Sequence, residues 1–213
     1  MYCVDDGVIL REISHAEGTI EEVSSKCAQL VKRFAHSYSP NRKLSLILGG
    51  WSYGGVIAVN VAEILNRDEL HLEISGMLLF DSPLRSSTNS RGGDLDSQVD
   101  EVPSDSSLSS IRVQQHFRYC TELLQEYYRR PTRATPLLLC PVLDLRAEQS
   151  NYVCDPQAVQ EITSGHIDQF TTAGTHFTML FGANAPLSAN FIIQFLSSLP
   201  THPSSTSFSS ITQ

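Results

Sequence analysis

Short apolar runs alternate with helical periodicities along this chain, and that alternation sets the expected fold class. Strand-like runs occur at Tyr2–Val4, Leu44–Leu48, Ile74–Phe80, Leu137–Leu145 and, more weakly, Ile167–Thr172. Between them, apolar positions return every three to four residues. Thr19-Ile20-Glu21-Glu22 reads as a capping box, after which Ile20, Val23, Cys27, Leu30, Val31 and Phe34 mark one helix face. A second helix is expected from about Gly54 to Asn66. A third should run from Ile111 to Arg130, with Phe117, Cys120, Leu124 and Tyr127 on one face and a stop before Pro131. Pro156–Ser164 and Leu187–Leu199 suit two more. Short buried strands separated by helices imply an α/β protein with a mostly parallel sheet.

Two stretches break the pattern. Residues 86–110 are polar, rich in Ser and Asp, and aperiodic. With the helix that follows they form an insertion between two strands, spanning about 84–130, where a lid is expected and a plain surface loop is the alternative. The tail, 200–213, is rich in Ser, Thr and Pro and is expected to be disordered, leaving 1–199 as one domain.

Composition narrows the function classes. At 213 residues and 41% hydrophobic, the chain can bury a sizeable core. Its formal net charge of −8 argues against a general nucleic-acid binder, which needs a basic face. The five cysteines are scattered and form no C-x-x-C pair, a usage that suits a reduced compartment rather than a disulfide framework or a zinc site. No window approaches the roughly 20 apolar residues of a membrane span. The opening MYCVDDGVILRE lacks the basic-then-apolar order of a signal peptide. A cytoplasmic protein without membrane association is expected.

The chemistry is carried by LILGGWSYGGVIAVNVAEIL, residues 46–65. It opens as a buried strand, closes as an amphipathic helix, and holds a G-x-S-x-G at the junction. Such a turn is so tight that side chains two residues before and after the serine are expected to clash; Gly50 and Gly54 relieve both contacts. The turn lifts the Ser52 hydroxyl above the sheet. It also puts the Tyr53 amide at a helix N-terminus, where it can donate to a developing oxyanion.

A serine hydroxyl needs a base, and the base needs an orienting acid. Of the seven histidines, only His176 directly follows the last strand, at the sheet end where Ser52 should stand. Asp81 ends the strand ISGMLLFDSP, and Glu148 follows PVLDLRAE. Either acid keeps the order Ser…Asp/Glu…His; Asp144 is mid-strand and less suited. Neither a metal nor an organic cofactor is called for.

LGGWSYGGVIAVNVAEIL, ISGMLLFDSPL, PVLDLRAE and AGTHFTMLF resemble, in that order, segments of thioesterase domains from fungal polyketide and nonribosomal-peptide synthases. The chain looks most like the small stand-alone thioesterases of fungal toxin clusters. The resemblance covers roughly residues 1–199 and implies an α/β-hydrolase fold. It also implies release or editing of acyl chains held as thioesters on the phosphopantetheine arm of a carrier protein. It favours Asp81 over Glu148 as the acid, and matches Gly174, His176, Phe177 and Met179 to the histidine segment.

One departure has consequences. The family places two or three strands before the one matched by MYCVDD, and a glycine-containing loop there gives a second oxyanion amide. Without that amide an enzyme forfeits about 2.7–4 kcal/mol of transition-state stabilisation, roughly 10²–10³ in rate. A sheet edge left open there is expected to pair with something else. Two other functions therefore stand beside the thioesterase: a carboxylesterase or lactonase with the same triad, and a non-catalytic accessory protein of a synthase. Arg129, Arg130 and Arg133 could form a carrier-docking patch; complementing the helix C-terminal dipole is the simpler expectation.

Overall fold

The computed structural model describes residues 18–38, 43–68, 71–85, 108–128, 138–150 and 156–200. The expected strand at Tyr2–Val4, the three arginines, most of the 86–110 stretch and the tail from 201 lie outside these residues. In chain order the elements are α1 (Ile20–Tyr38), β1 (Leu44–Trp51), α2 (Tyr53–Asp68), β2 (Leu72–Phe80), α3 (Leu108–Tyr128), β3 (Val142–Ala147), α4 (Pro156–Ile162), β4 (Ile167–Thr172) and α5 (Ala185–Ser198).

The four strands form one sheet in the order β1-β2-β3-β4, and every pairing is parallel. This is the expected α/β architecture. Helix α1 starts as the capping box predicts: the Glu22 amide donates to Thr19 Oγ1 at 3.2 Å, and the Thr19 amide donates to the Glu22 carboxylate at 3.1 Å. The third strand is shorter than its apolar run. Pro141 has no N–H to give a ladder, so pairing begins at Val142, and Leu138 makes only an isolated bridge to Thr163.

Side chains of β3 alternate between two cores. Val142 joins residues of α1, α2, α3 and α4, whereas Leu143, Leu145 and Ala147 pack with Met179, Phe195 and Leu199 on the α5 side. Strand β1 lies at one end of the described sheet, and Ile47 on it is 44% exposed. None of the described helices is long and apolar enough to cross a membrane.

The ladder also lines up the strand exits. The Ser52 amide donates to Phe80 O and the Asp81 amide to Leu145 O, both at 2.8 Å; the Glu148 amide donates to Thr172 O at the same distance. Each residue that leaves one strand is thus pinned to the carboxyl end of the next. In open parallel sheets that edge is where ligands bind.

Candidate active site

Ser52 sits between β1 and α2 with φ of 55°, in the left-handed region that a non-glycine residue seldom occupies. Its carbonyl accepts the Gly55 amide at 2.9 Å, closing the turn. A Cβ at Gly50 would overlap the backbone of Gly54, so glycine is required there. Gly54 differs from expectation: a Cβ on it meets nothing within 4 Å. The second steric demand falls one residue later, at Gly55, whose added Cβ would lie 2.6 Å from Ser82 Cβ. The elbow is therefore wedged against the segment that carries Asp81. Tyr53 opens α2, so its amide is among the first-turn donors that have no acceptor within the helix.

Asp81 is also left-handed, with φ of 45°, and is 1% exposed. One of its oxygens, Oδ2, lies 2.7 Å from His176 Nδ1, and His176 is likewise 1% exposed. Oδ2 also accepts the Ser150 hydroxyl at 2.6 Å, while Oδ1 accepts the Ala147 amide at 3.3 Å. A carboxylate against Nδ1 fixes the proton on that nitrogen and makes Nε2 the basic one, the tautomer a general base needs.

His176 reaches this position because the chain turns sharply after β4. Gly174 takes φ of 102°, and a Cβ on it would lie 2.7 Å from Thr178 Oγ1. That hydroxyl accepts the Thr175 amide at 2.9 Å and starts a single turn of chain, which Met179, fully buried, anchors in the core. Against the imidazole lies the indole of Trp51, with ring centroids 4.8 Å apart and planes at 26°. Trp51 Nε1 also donates to the His176 carbonyl at 3.1 Å. Phe177 and, from α3, Phe117 complete an aromatic enclosure, Phe117 lying 5.7 Å from Phe177 and 6.4 Å from His176 between centroids.

The rival residues lie elsewhere. The Glu148 side chain is exposed. Asp144 is buried, and its Oδ2 accepts from Arg146 Nη2 at 2.7 Å and from Gln169 at 2.8 Å. His166 pairs with Asp168 at 3.0 Å on the surface, and His116 lies 3.5 Å from Cys120 Sγ on α3. Among the described residues no group of three or more His, Cys, Asp or Glu side chains could hold a metal ion. Trp51 and Ser150 escaped the sequence reading. Trp51 at least stood inside the motif, between Gly50 and Ser52; for Ser150 no sequence signal existed.

Helix α3 is moored to this site at its C-terminal end. Tyr127 Oη lies 3.1 Å from Asn60 Nδ2 of α2, and the Tyr128 hydroxyl donates to Pro83 O at 2.5 Å. Burial pushes the Tyr128 phenol well above its ordinary range, so the hydroxyl remains a donor.

No family model matches the chain. A 54-residue stretch, 25% of this chain, is 39% identical to the thioesterase frbD of Dothideomycetidae sp. (strain 11243) and spans 20% of that protein's length. The structure resembles RedJ, a thioesterase from the prodiginine biosynthetic pathway of Streptomyces coelicolor, with a TM-score of 0.59 and 16% identity over 82% of this chain and 70% of RedJ. It resembles the NocB thioesterase domain from the nocardicin cluster equally, with a TM-score of 0.59 and 20% identity over 85% of this chain and 75% of that domain. The fold is that of these solved thioesterase structures. Within this fold, β1 is the strand that delivers Ser52, and α2 is the helix that receives it.

Proposed function

We propose that this chain is a serine thioesterase that releases or edits acyl chains carried as thioesters on the phosphopantetheine arm of a carrier protein, within secondary-metabolite synthesis. The observation that carries the reading is the buried 2.7 Å contact between Asp81 Oδ2 and His176 Nδ1, with the imidazole stacked on Trp51, the residue before a serine on a left-handed elbow. The short likeness to frbD, itself a thioesterase, supports the choice of thioester. The scattered cysteines support a reduced, cytoplasmic setting.

In this mechanism Ser52 Oγ attacks the thioester carbonyl while His176 Nε2 takes its proton. Asp81 holds the imidazole and stabilises the imidazolium that forms. The Tyr53 amide donates to the oxyanion of the tetrahedral intermediate. Collapse expels the thiolate, which receives the proton from His176. Water, or a hydroxyl or amine of the substrate, then resolves the acyl-enzyme by the same base. Helix α3, which sets Phe117 edge-to-face with the imidazole, belongs to the 84–130 insertion read here as a lid.

Turnover of a carrier-bound acyl-thioester and of a matched oxygen ester tests the proposal. Thioester hydrolysis that disappears in Ser52→Ala supports it. Faster turnover of the oxygen ester would instead assign a carboxylesterase. Most of the activity surviving in Ser52→Ala would remove the nucleophile assignment.

A further inference from the structure

We infer that Ser150 is a positioning residue for the triad, holding the Asp81 carboxylate at the angle that keeps His176 aligned; this rests on the serine-nucleophile reading above. Asp81 leaves β2 in the left-handed conformation, so nothing in the run of the strand itself fixes the direction of its side chain. Rotation about the carboxylate bond is soft, because terminal sp³–sp² torsions have broad minima. Neighbouring donors must therefore set the plane. The Ala147 amide reaches Oδ1 at 3.3 Å, which is long for such a bond. The Ser150 hydroxyl reaches Oδ2 at 2.6 Å, the length of a charge-assisted bond, and does so on the very oxygen that faces His176 Nδ1.

The turn after β3 is shaped for this. The Ser150 amide donates back to Ala147 O at 3.2 Å, folding residues 147–150 over so that one turn offers Asp81 both its amide and its hydroxyl donor. Glu148 lies on this turn too, yet its side chain faces solvent. The segment of the rival acid thus supplies the hydroxyl that holds Asp81. Since Asp81 is 1% exposed, bulk water is poorly placed to replace a lost donor. With the Ser150 hydroxyl gone, the carboxylate keeps the long Ala147 bond and its contact with His176, so its plane is set less firmly and its alignment with an imidazole held by Trp51 loosens.

Inactivation kinetics with a fluorophosphonate separate this role from mere support of the turn. Ser150→Ala should reach the wild-type endpoint of one label per chain, with the apparent affinity for the probe unchanged and the first-order inactivation rate roughly tenfold lower. Ser150→Thr, which keeps the hydroxyl, should return to within about threefold of wild type. A wild-type rate in Ser150→Ala overturns the inference alone. So does a Ser150→Thr variant that labels completely but slowly, even if Ser150→Ala fails to fold. Wild-type protein that takes no label at Ser52 overturns the nucleophile reading, and this inference with it.

Discussion

Trp51 grips His176 twice: its indole stacks on the imidazole at 4.8 Å, and its Nε1 donates to the histidine's own carbonyl at 3.1 Å. The residue before Ser52 therefore orients His176, joining β1 to the turn after β4 across the sheet. An indole face also favours a cation, so in the proposed mechanism it would support the imidazolium.

Trp51→Leu should lower the acylation rate about 5- to 30-fold, the loss of one hydrogen bond and one aromatic stack. Trp51→Phe keeps a ring against the imidazole and should lose less. Steady-state rates on one thioester, compared across the two variants, check the ordering. Equal rates in wild type and Trp51→Leu would remove the clamp.

The acid assignment separates cleanly by mutation. Asp81→Asn leaves a side chain of the same shape but lets His176 settle in the wrong tautomer, and about 10⁴-fold of the rate should go. Glu148→Gln, altered at an exposed side chain, should stay within about twofold of wild type, since surface substitutions have small effects. Hydrolysis rates of the two variants decide the matter.

The glycines of the elbow should respond in an order that the motif alone does not suggest. Gly50→Ala pushes a methyl group into the Gly54 backbone, and Gly55→Ala pushes one against Ser82; both should lower the thermal midpoint and the activity together. Gly54→Ala has open space and lies in α2, so it should be neutral or stabilise by up to about 1 kcal/mol. Melting curves of the three variants test this order.

Burial pushes the Cys140 thiol up to about 11 from an ordinary value of 9.0, and the residue is 5% exposed. The folded state then keeps this proton to higher pH than the unfolded state does. Stability from this group is intact below pH 9.0, declines between the two values, and is lost above about 11. Urea midpoints between pH 8 and 10.5 should fall more steeply for wild type than for Cys140→Ala. Parallel slopes would contradict the burial argument.

The amino-acid pattern reveals most of the fold and the outline of the site, for local reasons. The weak apolar run at Ile167–Thr172 coincides with β4, and Thr19 with Glu22 marked the start of α1. Ser52 stood out because an apolar strand, four nearby glycines and a helix share one short window; the strand, expected to be buried, is instead half-buried and exposed by turns because β1 lies at the end of the described sheet. What stayed hidden depends on residues distant in the chain. Asp81 and His176 are 95 positions apart; the resemblance, not the local pattern, favours Asp81 over Glu148, and the left-handed turn after β2 that brings Asp81 to His176 is announced by no propensity. Gly55 rather than Gly54 is the crowded position only because Ser82 lies against it. Ser150 and Asp81 are 69 positions apart, a separation at which residue types say nothing about contact.

The central claim is that Ser52 is an activated nucleophile. The most direct test is intact mass and peptide mapping after treatment with a fluorophosphonate, with Ser52→Ala as control; it requires no knowledge of the acyl substrate. One adduct per chain, mapped to Ser52 and absent from the control, is the predicted result. Folded wild-type protein that takes up no adduct, or that carries it on another residue, would contradict the account.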